Sequence, residues 1–349
     1  MFRRALMATA LLFVLPLTAC GGGDEPAASG EAGGELNLYT ARHYDADQQL
    51  YRLFEERTGV RVNRVDGNPD QLIARMRTEG DNSPADVFVA ADAGALWRAQ
   101  EAGLLQPVTS EVLTAAIPAN LRDPEGHWFG LARRARIVAY DTARVRPEEV
   151  DTYEEIASPR FRGKLCVRSS DSVYNLSLVG ALIEAWGPEK AGEWVRGVVA
   201  NMARPPEGGD RDQIRAVGAG VCEIALTNSY YFIRLASGDD AGDRAITERV
   251  KLAFPSLAGQ GAHVNVSGGG VARNAPNRDN AVRFLEFLTT PEAQTIIASA
   301  NNEFTAATGV ADPEPVSNWS DFTAHPMSVT AYGRRQSEAQ SLMTEAGWR

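Results

Sequence analysis

Two observations predict an α/β chain of two domains, each built on a wound, mainly parallel sheet. Strand and helix signals alternate along the chain, the pattern of repeated β-α-β units. Some 315 residues beyond position 34 also exceed what one hydrophobic core usually supports. Hydrophobic residues make up 44% and charged residues 23%, which is ordinary for a globular protein. The formal charge of −10 argues against nucleic acid as a partner and suits a cationic ligand, although acidity mostly serves solubility.

Leu36–Tyr39 reads as a strand followed by a loop over 40–46. Asp47–Arg57 places Leu50, Leu53 and Phe54 on one helical face, and Gly59 stops it. Val60–Val65 alternates as a strand, Asp70–Glu79 is helical, Asp86–Ala90 is a buried strand, and helix Ala93–Ala102 ends at Gly103. Wound sheets bind ligands beyond their strand C-termini, where Ala41–Tyr44 falls. A second unit begins with strand Ile137–Tyr140. A turn-rich stretch, Ser158–Lys164, leads to a strand around Cys166, then to helices Leu176–Trp186 and Glu189–Asn201. After the loop 204–210 come a short helix, Gln213–Ala219, and strand Glu223–Thr227, which runs directly into Tyr230-Tyr231. Tyr140, Tyr230 and Tyr231 therefore all lie just past apolar strands. Ala262–Val271 is a strand containing Gly268-Gly269-Gly270, followed by helices Arg278–Leu288 and Pro291–Ala300. The triple glycine lacks the Lys-Ser/Thr of a P-loop and the spacing of a dinucleotide fingerprint, so it reads as a hinge or tight turn.

The first 20 residues carry Arg3 and Arg4, an apolar run over Ala5–Leu17, and Leu17-Thr18-Ala19-Cys20. That is a secretory leader, too short to anchor as a membrane span. Its end resembles a bacterial lipobox, which implies cleavage before Cys20 and a lipid on its sulfur. Residues 21–34 then form a flexible tether. Loss of Arg3 and Arg4 brings the mature charge to −12. The two remaining cysteines, Cys166 and Cys222, are a disulfide candidate in an oxidising compartment or two separate buried thiols.

The chemistry rests on Tyr230-Tyr231 and on Arg42-His43-Tyr44 far upstream. Phenols titrate near ~10 and are feeble bases at neutral pH. As phenolates they are anionic oxygen ligands, and a strongly charged hard cation can displace their protons. A cluster of phenols with one imidazole is thus a poor catalytic set and a good cage for a trivalent metal.

Ordered motifs along the chain resemble the periplasmic ferric-iron-binding proteins of ABC transporters, a branch of the two-lobed solute-binding proteins. They are Leu38–Tyr44, Ala85–Phe88, Arg133–Tyr140, Val167–Ser170, Ala203–Gln213, Asn228–Tyr231, His263–Gly270 and Phe284–Gln294. The resemblance implies a type II periplasmic-binding-protein fold: two α/β lobes joined by crossing strands, with Fe³⁺ held in the cleft between them. It implies a ligand set of His43, Tyr44, Tyr140, Tyr230 and Tyr231. It also implies delivery to a permease and ATPase by a monomeric protein, lipid-anchored in the periplasm or on the outer face of the cytoplasmic membrane. Phe232 departs from a common triple tyrosine at a position not expected to ligate. Four phenolates around Fe³⁺ leave a net charge of −1, so Arg42 and Arg204 are expected to flank the site.

The implied domains are 35–136 with 260–315 as lobe 1, 137–259 as lobe 2, and 316–349 as a helical tail packed on lobe 2. Tyr39, Tyr51, Tyr153 and Tyr174 read as packing, with Tyr174 the one that can instead face the cleft. His127, His263 and His325 receive no role. No Gly-x-Ser-x-Gly elbow or His-Glu-x-x-His helix is present, and Asp210 and Asp212 lie too close in a loop to enforce acid/base geometry. A binding protein rather than an enzyme is expected. The alternative is a two-lobed binder of an oxyanion, phosphonate or polyamine, for which Arg168, Ser169 and Ser170 would serve the oxyanion case.

Overall fold

Nine strands form one continuous sheet in the order β2-β1-β3-β8-β4-β6-β5, with β7 and β9 both added on β4. In the chain they are β1 (Glu35–Thr40), β2 (Arg61–Asp66), β3 (Val87–Ala90), β4 (Phe129–Asp141), β5 (Leu165–Cys166), β6 (Ile224–Asn228), β7 (Val250–Ala253), β8 (Val264–Val271) and β9 (Phe304–Thr305). These strands belong to a computed structural model that describes residues 33–42, 44 and 47–349. The leader, Cys20, nearly all of the tether, and His43 lie outside the described residues.

The pairing separates into two wound parts and a crossing. β2, β1 and β3 are parallel, and β5 is parallel to β6, as β-α-β units require. Every antiparallel pairing involves β4 or β8. β4 is the longest strand and changes partner midway. Phe129–Ala135 pairs with β8, and Arg136–Tyr140 pairs with β6. β3 and β4 are both antiparallel to β8, so β1 and β3 run in the same sense as β4, towards the partner switch. β6 runs against β4 and ends opposite Arg136. The C-terminal ends of both wound parts therefore converge on the crossing, where a ligand cleft of this fold class lies.

Local chemistry explains the surrounding helices. Asn68 caps helix Pro69–Glu79 through a capping box with Gln71, and Pro69 occupies the first turn, where its missing N–H costs nothing. Gly59 follows helix Asp47–Thr58 at φ 70°, a left-handed position that side chains resist. Helix Val173–Trp186 starts three residues earlier than the periodicity predicts, immediately after Ser172. That extension brings Tyr174 into its first turn.

Cys166 and Cys222 are disulfide-bonded, with Cα atoms 5.8 Å apart. The bond ties β5 to the approach of β6 and closes a loop of sequence separation 56, a constraint worth on the order of 3–4 kcal/mol. The C-terminal residues form helices Val329–Gly333 and Gln336–Glu345. The first packs on Ala93–Glu101 as well as on Val173–Trp186, and the second packs on Val173–Trp186 and Pro188–Asn201. Among the described residues no helix is long and apolar enough to cross a membrane.

Candidate metal centre

Tyr230 and Tyr231 open helix Ser229–Ser237, directly after β6. Tyr174 occupies the corresponding place in the first turn after β5 and its short loop. Because β5 and β6 are parallel, both helix starts lie at one edge of the sheet, and the phenols meet there. The Tyr230 hydroxyl donates to the Tyr174 oxygen at 3.1 Å, and the Tyr230 and Tyr231 rings lie 4.1 Å apart between centroids. Tyr44, beyond β1, faces them across the crossing. Its phenol interacts electrostatically with those of Tyr174, Tyr230 and Tyr231.

Burial shifts Tyr44, Tyr174 and Tyr230 further from ionisation. Desolvation raises Tyr44, with Glu303 adding to it; Tyr174 and Tyr230 are raised by desolvation and then by neighbouring phenols. They are therefore protonated at neutral pH until something strongly cationic replaces the protons.

Tyr140 does not join this group. It ends β4, which runs antiparallel to β6, so its strand end points away from the end that carries Tyr230. Tyr140 lies four positions beyond Arg136, which is the residue opposite Asn228, a span of about 13 Å along the strand. Its phenol is raised by desolvation and by Glu148, not by the other tyrosines. The expected cluster is corrected accordingly: Tyr174 stands where Tyr140 was placed. The signal was present in Ser172-Val173-Tyr174-Asn175, a helix-start residue followed by a phenol in the first turn after a strand.

Charged side chains surround the phenols. Arg134 and Arg136, two apart on β4, share one face and straddle the partner switch. The Arg134 guanidinium lies 5.9 Å from the Tyr230 ring centre, and those of Arg136 and Arg168 lie 6.0 and 5.3 Å from that of Tyr174. Glu303, fully buried, accepts from Arg134 Nε at 3.1 Å and from Arg42 Nη1 at 3.0 Å. Arg42 also donates from Nε to Asp47 at 3.1 Å and lies 4.8 Å from the Tyr44 ring centre. Burial pushes the Glu303 carboxyl up, but Arg134 and Arg42 outweigh it and hold the group below the usual range. A parallel cluster joins Arg136 to Asp210, Asn228 and Asn175. Arg42 thus flanks the phenols as expected. Arg204 is bound instead to Glu207 and Gln213, and Arg134 and Arg168 join Arg42 beside the rings.

Among the described residues no group of three or more His, Cys, Asp or Glu side chains is placed to hold a metal ion. A metal at this crossing would be held by phenolate oxygen, the donor a hard cation prefers. The fold, with two wound parts joined at its crossing strands, defines a two-lobed solute-binding protein.

Residues 49–324 match the family model of the bacterial extracellular solute-binding proteins. Iron uptake protein A1 of Synechocystis is 44% identical over 90% of this chain and 88% of its own length. A Trichodesmium protein (IdiA, FutA), solved in complex with iron and citrate, is 48% identical over 90% of this chain and 100% of that one, with a TM-score of 0.87. The ferric binding protein of Campylobacter jejuni is 36% identical with a TM-score of 0.85, covering 90% and 100%. The chain belongs to the periplasmic ferric-iron-binding branch of the bacterial extracellular solute-binding proteins.

Proposed function

We propose that this protein captures Fe³⁺ between its lobes and delivers it to the permease and ATPase of an ABC importer. Tyr44, Tyr174, Tyr230 and Tyr231 are the ligands, with His43 adjacent to Tyr44 as a nitrogen donor. The carrying observation is the convergence of four phenols on one point of the crossing. Tyr44 comes from the lobe of 35–136 with 260–315, and the other three come from the lobe of 137–259. A metal bonded to both lobes favours the closed shape, which is what a permease can read. Arg134 and Arg168 offset the excess negative charge of four phenolates. Export through the leader and a lipid on Cys20 would hold the protein at the membrane that contains its permease.

The test is the absorption spectrum of residues 21–349 after addition of Fe³⁺-citrate. A visible tyrosinate-to-iron band is expected, lost in Tyr230→Phe and Tyr174→Phe and kept in Tyr140→Phe. A colourless protein from which no iron co-elutes would sink the reading.

One observation favours an anionic co-ligand beside the metal. Among the described residues Arg168 Nε and Ser172 Oγ are buried without a hydrogen-bond partner, and the Arg168 guanidinium interacts with Asp210, Tyr174, Tyr231 and Tyr230. A carboxylate-bearing chelator would satisfy these donors. Isothermal titration with Fe³⁺ in the presence and absence of citrate separates the two modes.

A further inference from the structure

The last turn of the chain reaches the metal centre from behind. Trp348 is 1% exposed, and its indole Nε1 donates to the backbone carbonyl of Arg168 at 2.8 Å. That carbonyl opens the segment 168–172, which enters the helix carrying Tyr174. Its second lone pair accepts from Asn175 Nδ2 at 3.2 Å, and the same amide donates to Ser169 O at 2.9 Å. Asn175 Oδ1 in turn accepts from Arg136 Nη2 at 2.7 Å. The backbone before Tyr174 is thus gripped from two sides, by its own neighbour Asn175 and by the C-terminal tryptophan.

The tail is seated in a defined register. It runs antiparallel to helix Val173–Trp186: Arg335 bonds Glu184 at 2.6 Å, Gln336 Nε2 bonds Ser177 Oγ at 3.1 Å, and Trp348 bonds Arg168. Gln336 Nε2 also donates to the buried carboxylate of Asp92 at 2.8 Å. The Gln336 amide takes this position where Gly94 has no Cβ; a Cβ there would overlap it. With Gln336 pinned at one end of helix Gln336–Glu345, the position of Trp348 beyond the other end is fixed.

We propose that Trp348 is a positioning residue for the Tyr174 phenol, acting through the Arg168 carbonyl. This rests on the reading of Tyr174 as an iron ligand. A metal site needs its ligands held to about 0.5 Å, and loss of a supporting hydrogen bond one step behind a ligand costs about 10–100-fold in affinity. Here two covalent segments intervene, so a smaller effect is expected.

The experiment compares Fe³⁺ affinity in four proteins, wild type, Trp348→Phe, Tyr174→Phe and the double variant, and the charge-transfer maximum in the first two. Trp348→Phe keeps an aromatic ring in the pocket and removes the N–H. It is expected to weaken Fe³⁺ binding about threefold to tenfold, the range of one net hydrogen bond, and to move the band maximum. In the Tyr174→Phe background the same change is expected to add nothing. An equal loss in both backgrounds, or unchanged affinity and band in Trp348→Phe, overturns the proposal. A wild type that shows no band overturns the iron reading itself, which keeps the two failures apart. Where Trp348→Phe does not fold, the benzothiophene isostere of tryptophan removes only the N–H and yields the same comparison.

Discussion

The ion pairs buried at the crossing and the phenols beside them differ in how completely the protein satisfies them. Glu303 bonds two arginines, Arg42 adds Asp47, and Arg134 adds Ala91 O and Ser267. Three tyrosines elsewhere are treated in the same way. Tyr39 donates to Glu79 at 2.8 Å, Tyr153 to Arg136 O at 2.6 Å, and Tyr332 to Val264 O at 2.7 Å. In the cluster the acceptor for Tyr230 is another phenol, and the hydroxyls of Tyr44 and Tyr231 have no hydrogen-bonded partner among the described residues. The protons of Tyr39, Tyr153 and Tyr332 are committed to carboxylate or carbonyl acceptors, whereas Tyr230 gives its proton only to another phenol.

This contrast can be broken most severely by pH. Tyr44, Tyr174 and Tyr230 are raised above their ordinary value, so each of them must lose a proton when Fe³⁺ enters. Affinity is expected to fall about tenfold per pH unit for every phenol that ionises. Competition against a chelator of known pH dependence between pH 8 and 6 gives that proton count, and a pH-independent affinity would refute phenolate ligation. Next in size is Glu303→Gln, which leaves two buried guanidinium groups short of a counter-charge. A loss of about 3–5 kcal/mol in urea unfolding is expected, because removing one partner strands the others.

Tyr230→Phe is expected to weaken Fe³⁺ binding by more than about a hundredfold, beyond the cost of losing a supporting partner. Tyr153→Phe is expected to leave iron affinity unchanged while costing about 1–3 kcal/mol of stability, since the Arg136 carbonyl loses its partner. If both substitutions act alike on iron, the division between committed and free phenols fails. The mildest test separates fold from function within one titration. His263 is buried against Tyr332 at 4.9 Å, and burial, Arg136 and His325 lower its pKa to about 3. The unfolded chain binds this proton near pH 6.5 while the native state does not, so stability falls as pH drops from about 6.5 towards 3. The slope is about 1.4 kcal/mol per pH unit at most. His263→Leu should flatten that slope in apo-protein unfolding curves without moving the pH dependence of iron affinity.

Much of this was legible in the sequence. The β-α-β alternation, the strand and helix order and the adjacent pair Tyr230-Tyr231 all appear as local patterns. Tyr140 and Tyr174 show where legibility stopped. Both follow apolar strands, and nothing in composition distinguishes them. Only the antiparallel pairing of β4 with β6 turns the end of β4 away, and only the parallel pairing of β5 with β6 brings Tyr174 to Tyr230. Arg134, Glu303 and Trp348 were equally silent, since their partners lie far along the chain.

The sequence by itself determined the type of most of the elements it read, the β-α-β alternation and the chemical character of the ligand, because periodicity and side-chain chemistry are local properties; the triple glycine, read as a turn, lies within strand β8. Tertiary structure decided which phenols meet, which arginines face them and how the C-terminal helices are seated. Those outcomes depend on strand direction and on contacts between residues tens to hundreds of positions apart, which no local pattern encodes.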